Sequence, residues 1–199
     1  MPPRVLYALA TIGLCAAAAV AGVWIAESAR QDPVPRAVSA FAGALRPPGA
    51  RAPEFRLRDQ DGRPVAMAGY AGRTVVMTFV YSHCEDVCPA QVQSIRGALD
   101  RLGRDVPVLA VSVDPANDTP ASARRFLLRQ HVTGRVRFVL GSPAELEPVW
   151  RGYGIAPQRG TLDHSAYVVL VDGAGRQRVG FPAARLTPED LASDLRRLG

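Results

Sequence analysis

Thr74-Val-Val-Met-Thr-Phe-Val-Tyr-Ser-His-Cys-Glu-Asp-Val-Cys-Pro89 is the stretch on which the fold turns. Its first half, Thr74 to Tyr81, is a short, nearly continuous apolar run, as expected of a strand buried on both faces. A close cysteine pair follows at once. Pro89 suits the first position of a helix, where its missing N–H removes no intrahelical bond. Val92, Ile95, Leu99 and Leu102 then recur at helical spacing until Gly103 ends the run. The dithiol therefore sits between a buried strand and a helix start, where unpaired N–H groups and the helix dipole favour thiolates.

Working outward, the downstream sequence repeats this alternation. Residues 106–113 form a second apolar strand, and Thr119-Pro120 opens a helix carrying Phe126 and Leu127. Residues 136–140 read as a third strand. Ser142-Pro-Ala-Glu145 is a capping box, which predicts a helix through Trp150. Residues 166–171 form a fourth strand, and Asp172-Gly-Ala-Gly175 turns the chain into a fifth at 177–181. Thr187-Pro-Glu-Asp190 caps a last helix. The order predicts an α/β fold with a mixed central β-sheet flanked by helices, satisfied by a thioredoxin-like sandwich over residues 52–199. No internal repeat is visible.

Upstream, residues 27–51 are rich in Ala, Pro and Arg without a period and read as a flexible linker. Its typical reach is roughly 25–30 Å. Residues 5–26 carry no charge. As a helix they span roughly 33 Å, enough for a hydrocarbon core of about 30 Å. Arg4 precedes the run and Trp24 lies near its far end, which suits an interfacial aromatic. Residues 1–26 are thus expected to be one N-terminal transmembrane helix. It makes a single-pass protein of a bacterial inner membrane, with the C-terminal domain on the periplasmic or outer side. A cleaved signal peptide competes with this reading. A lipoprotein anchor at Cys15 is disfavoured by the bulk of Leu14. The net charge of +6 is carried by 24 basic residues, all arginine, scattered along the chain with few aromatics between them. That pattern argues against a nucleic-acid surface.

Three cysteines are too few for a disulfide scaffold. Cys84 and Cys88 point instead to redox or metal chemistry. On a helix, positions four apart share a face with Cβ atoms about 5–6 Å apart. In a loop, the three-residue spacer still folds the sulfurs together. Either way they hold one soft ion or close a disulfide. A purely structural disulfide over so short a loop constrains little. Asp163-His164 stands immediately before the fourth strand. In a thioredoxin-type sheet the loop leading into that strand lies beside the dithiol helix, which brings His164 to Cys84 and Cys88. A lone histidine before a strand is more often a surface or packing residue; its placement beside a dithiol reverses that weight. Two thiolates and one imidazole suit Cu(I) and are accessible to Cu(II). His83 is an alternate ligand or a modifier of the adjacent thiol. Glu85 and Asp86 oppose thiolate formation in the empty site and favour a bound cation. Asp118 is expected to stabilise the helix start at Thr119-Pro120, Asp114 to shape the turn after its strand, and His131 to be a surface residue.

Three runs, in order, carry a family resemblance: Thr78-Phe-Val-Tyr-Ser-His-Cys-Glu-Asp-Val-Cys-Pro89, Ser112-Val-Asp-Pro-Ala-Asn-Asp-Thr-Pro120 and Asp163-His-Ser165. Together they resemble the Sco/SenC copper chaperones of cytochrome oxidase assembly, from about residue 52 to the C-terminus. The resemblance implies a thioredoxin-like fold, copper ligands at Cys84, Cys88 and His164, and a redox-active pair at Cys84 and Cys88. It also implies delivery of copper, as Cu(I) or Cu(II), to the dinuclear copper site of cytochrome c oxidase subunit II or a related oxidase. A periplasmic copper donor and a thiol reductant are the other implied partners. Glu85 stands where family members often carry proline. Two functions stay open at this point. One is a metallochaperone, not an enzyme, working by ligand exchange; the other is a thiol–disulfide oxidoreductase that reduces the acceptor's cysteines. A peroxiredoxin-type peroxidase is disfavoured, because Tyr81 occupies the place of that family's threonine.

Overall fold

The computed structural model describes residues 40–157 and 166–199. Among the described residues, eight strands and four helices follow one another. They are β1 (Ala44–Leu45), β2 (Arg56–Asp59), β3 (Pro64–Ala66), a 3-10 turn (Met67–Tyr70), β4 (Val75–Val80) and α1 (Val87–Leu102). Next come β5 (Val108–Ser112), α2 (Pro120–Arg129), β6 (Val136–Leu140) and α3 (Pro143–Tyr153). The chain closes with β7 (Tyr167–Val171), β8 (Gln177–Pro182), a second 3-10 turn (Ala183–Arg185) and α4 (Pro188–Leu198). The strands form one mixed sheet in the order β1-β8-β7-β4-β5-β6-β2-β3. β4, β5 and β6 run parallel, and the remaining pairs are antiparallel.

All six β4 residues are buried, as the apolar run predicts. Side chains alternate across a strand, so the run feeds two cores. Val76 and Val80 pack on one face against Val92, Ile95 and Leu99 of α1, Phe126 of α2 and Leu191 and Leu195 of α4. Val75, Met77 and Phe79 pack on the other against Leu146, Val149, Trp150 and Tyr153 of α3. Leu57, Val65 and Met67 of the β2–β3 region complete that second core. Three helices thus cover one face and one helix the other, in the expected helix–sheet–helix arrangement.

Three features differ from the sequence reading. α1 begins at Val87 rather than Pro89, so Cys88 lies inside its first turn; Pro89 is tolerated there because first-turn N–H groups have no intrahelical acceptor. Strands β2 and β3 escape hydropathy, because Arg-Leu-Arg-Asp and Pro-Val-Ala are short and bury only alternate residues. Residues 40–51, placed in the linker by composition, are tied to the sheet. Ala44 and Leu45 pair with Gly180 and Val179, and Asp194, fully buried in α4, accepts the Ala42 and Gly43 N–H groups at 2.9 and 3.0 Å. No described helix is long and apolar enough to cross a membrane. The anchor expected over residues 1–26, including Cys15, and the linker up to residue 39 lie outside the described residues.

Candidate metal and dithiol site

β4 delivers the chain to the carboxyl edge of the parallel strands, and residues 81–86 bridge it to α1. Three residues, Asp118 before α2 and Ser122 and Arg129 within it, grip this bridge at Ser82. Its N–H donates to Asp118 Oδ1 at 2.7 Å, its hydroxyl to Ser122 Oγ at 2.8 Å, and its carbonyl accepts from Arg129 Nη2 at 3.1 Å. Asp118 is itself buried and accepts the Ser112 hydroxyl at 2.5 Å. Burial pushes its carboxyl above the usual carboxylate range, against the pull of these bonds. Asp118 is therefore a buried post linking the end of β5 to the cysteine loop. The helix cap expected of it belongs to Thr119, whose hydroxyl accepts the Ser122 N–H while Ser122 returns a bond to the Thr119 N–H. Asp114 shapes the turn, as expected: Asp118 N–H donates to its carbonyl and Asn117 Nδ2 to its carboxylate.

The two sulfurs meet. Asp86, the residue before α1, makes no side-chain cap. Cys84 fills that role: its sulfur accepts the Cys88 N–H at 3.2 Å. The Cys88 thiol also hydrogen-bonds it, and this bond is the largest cause that holds the Cys84 thiol down to about 5; the Asp86 N–H and the Tyr81 side chain add to the effect. Cys88 moves the opposite way, far above the ordinary thiol range, because its thiol keeps its proton to donate a hydrogen bond to the Cys84 sulfur and is fully buried. The arrangement is one thiolate and one thiol sharing a proton at a helix N-terminus.

Cys84 opens onto a cleft of about 680 Å³ between the start of α1 and the segments at Ala166 and Pro182–Leu186. The acidic Glu85 and Asp86 and the half-exposed Val87 stand at its mouth. Gln91, one turn beyond Cys88, lines it from within. Its Nε2 donates to Thr78 Oγ1 of β4 and, at 3.1 Å, to the Tyr167 carbonyl of β7. Among the described residues its Oε1 is buried without a partner. Nothing local in the sequence singles out Gln91 or Ser82, since their partners lie 13 to 76 and 36 to 47 residues away.

His83 is exposed, with its Nδ1 against the Ser82 hydroxyl at 3.1 Å. His131 is a surface residue, as expected, with φ 53° in the turn after α2. His164 and Asp163 lie outside the described residues. Among the described residues, no group of three His, Cys, Asp or Glu side chains stands together to hold a metal. Of the expected ligand set, the structure brings together Cys84 and Cys88.

Comparison with known proteins assigns this architecture. The SCO1/SenC family model matches residues 44–199. The chain belongs to the SCO1/SenC family. The family match starts at β1, in agreement with the sheet rather than with the compositional boundary at 52. A copper-bound ScoI structure from Bradyrhizobium japonicum is 33% identical, covers 75% of this chain and 100% of that one, and superposes with a TM-score of 0.64. Protein SenC of Rhodobacter capsulatus is 29% identical over 178 residues, 81% of this chain and 78% of that protein. The mitochondrial SCO1 homolog 1 of Arabidopsis thaliana is 29% identical over 119 residues, which span 35% of its own length. That last match covers 58% of this chain.

Proposed function

We propose that this SCO1/SenC domain is a copper metallochaperone that carries copper for cytochrome c oxidase assembly. The observation that carries the reading is the proton-sharing sulfur pair, of which Cys84 opens onto a cleft, in a chain 33% identical to a copper-bound ScoI. Copper is the cargo. Cys84 and Cys88 hold it through sulfur, which suits Cu(I), and loading displaces the one proton the pair retains. His164 supplies the third ligand. It stands two residues before Ala166, which lines the same cleft as Cys84. The acceptor is the dinuclear copper site of subunit II or of a related oxidase. Its cysteines and histidines take the ion by ligand exchange through shared-ligand intermediates. A helix over residues 5–26 anchors the domain on the periplasmic side of the inner membrane, where a copper donor and a thiol reductant serve it.

X-ray absorption on the reduced, copper-loaded domain tests this reading. One copper per chain with two sulfurs and one nitrogen is expected, with the nitrogen lost in His164→Ala. Absence of stoichiometric binding to the reduced protein would rule the chaperone out.

The lowered Cys84 thiol favours a second activity at the same pair, reduction of a disulfide between the acceptor's cysteines. Two electrons pass to that disulfide while Cys84 and Cys88 join, and an external thiol reductant resets the pair. This exchange does not need the imidazole. Full function of His164→Ala in cells would favour it over copper carriage.

A further inference from the structure

Between Asp118 and Glu145 the chain carries five arginines and no carboxylate. Arg135 is paired with Asp100 and Asp105, and Arg137 with Asp59. The other three, Arg124, Arg125 and Arg129, stand exposed on α2. Among the described residues, the one carboxylate paired with them is Asp61, 3.9 Å from Arg124 Nη1, and that contact is exposed and therefore weak. Arg125 and Arg129 lie four residues apart, where helical side chains are neighbours and like charges repel. Leu128 projects beside them, 66% exposed, the most exposed of the large apolar side chains described. α2 thus turns a basic face with one apolar knob to solvent. The face adjoins the dithiol: Arg129 Nη2 donates to the Ser82 carbonyl at 3.1 Å, and Ser82 stands two residues before Cys84. Glu85 and Asp86, the acids nearest the sulfurs in sequence, line the cleft.

We propose that this face of α2 docks an acidic patch on the protein that takes copper from Cys84 and Cys88. The inference rests on the copper carriage proposed above and uses only the two sulfurs of its site. Charge complementarity selects the occupant: three guanidinium groups with little internal compensation call for carboxylates, and Leu128 adds a small apolar contact among them. Such a complex fits a carrier. A carrier must meet its acceptor often and leave it quickly, and opposed charges raise the encounter rate more than the affinity. A membrane of anionic lipid also offers negative charge. Leu128 is, however, the one large apolar side chain that α2 has free to insert, since Phe126 and Leu127 are buried in the core. The bond to Ser82 sets the face beside the cysteine loop, where a protein that exchanges copper with the sulfurs must come.

The experiment mixes the copper-loaded full chain, in uncharged detergent, with copper-free, reduced subunit II of its oxidase. Transfer is followed at several salt concentrations for wild type, Arg125→Glu and Arg125→Gln. Arg125 takes no part in the bonds at Ser82, and Arg125→Glu sets a carboxylate four residues before Arg129, so both variants are expected to fold and to bind copper as wild type does. At low ionic strength the second-order rate should fall about tenfold in Arg125→Glu and about threefold in Arg125→Gln. In about 1 M salt, where charges are screened within about 3 Å, the three rates should converge. Arg125→Gln provides the readout should the charge reversal disturb the fold. Equal rates at low salt, with copper passing from wild type, overturn this proposal alone. So does binding to phosphatidylglycerol vesicles that Arg125→Glu loses while transfer is unchanged, which assigns the face to lipid. Absence of transfer from copper-loaded wild type overturns the copper carriage first, and this proposal with it.

Discussion

Cys84 and Cys88 are the same side chain in two surroundings, and the difference is measurable. Cys84 accepts hydrogen bonds from the Cys88 thiol, from N–H groups at the start of α1 and from Tyr81; Cys88 lies in the core and donates. At pH 6 an alkylating reagent should therefore modify Cys84 and spare Cys88, with a rate midpoint near pH 5. Cys88→Ala removes the largest cause of the shift and should move that midpoint up toward the ordinary thiol value of about 8.5. The sign for stability follows from proton uptake. Between about pH 5 and about 8.5 Cys84 is charged in the fold and protonated in the unfolded chain, so unfolding binds a proton. Its contribution to the reduced domain's stability thus rises with pH across that window and is lost as pH falls through 5. Cys88 shifts upward and opposes this only above the window. Urea titrations of wild type and Cys84→Ser at several pH values check it, since the variant should lose that part of the slope. Of this chemistry, the sequence displayed the two cysteines and their place before a helix. It could not display their unequal roles, which depend on how deeply each sulfur is packed.

At the scale of elements, the cysteine loop is held by partners remote in sequence. Asp118 joins Ser82 to Ser112, while Thr119 caps α2. Thr119→Ala should cost about 1 kcal/mol, as for an ordinary cap. Asp118→Ala breaks two buried bonds to a carboxylate and should cost on the order of 3 kcal/mol. Denaturant midpoints with an unchanged slope give both numbers; equal costs would return Asp118 to the minor capping role its sequence position suggests. β4, β5, β6, β7 and β8 and all four helices were legible because each has an apolar run, a cap signature or a turn. The capping boxes at Thr119 and Ser142 are local, and that of Ser142 was read directly. β1, β2 and β3 were not legible. Each is two to four residues long and exposes at least alternate side chains. β1 pairs with partners over a hundred residues away and β2 with β6 around eighty away, while the β2–β3 hairpin is local but too short to show a period.

At the scale of the molecule, composition put the domain boundary at 52, and the sheet puts it earlier. A chain of residues 40–199 should unfold in one cooperative transition. A chain of residues 52–199 loses β1 and both N–H groups that satisfy Asp194. It should be less stable by roughly 3 kcal/mol or more, since a buried carboxylate stripped of its donors is among the costlier defects. Thermal melts of the two chains decide the point; equal midpoints would restore the linker reading for residues 40–51. The intact sheet ends in a strand of two residues on one rim and a strand of three, opening with Pro64, on the other. Rims that short offer a neighbouring copy too few free amide and carbonyl groups to dock a strand. Copies crowded together at high density therefore resist polymerising edge to edge, and an encounter between two proteins is left to side-chain surfaces rather than to the backbone.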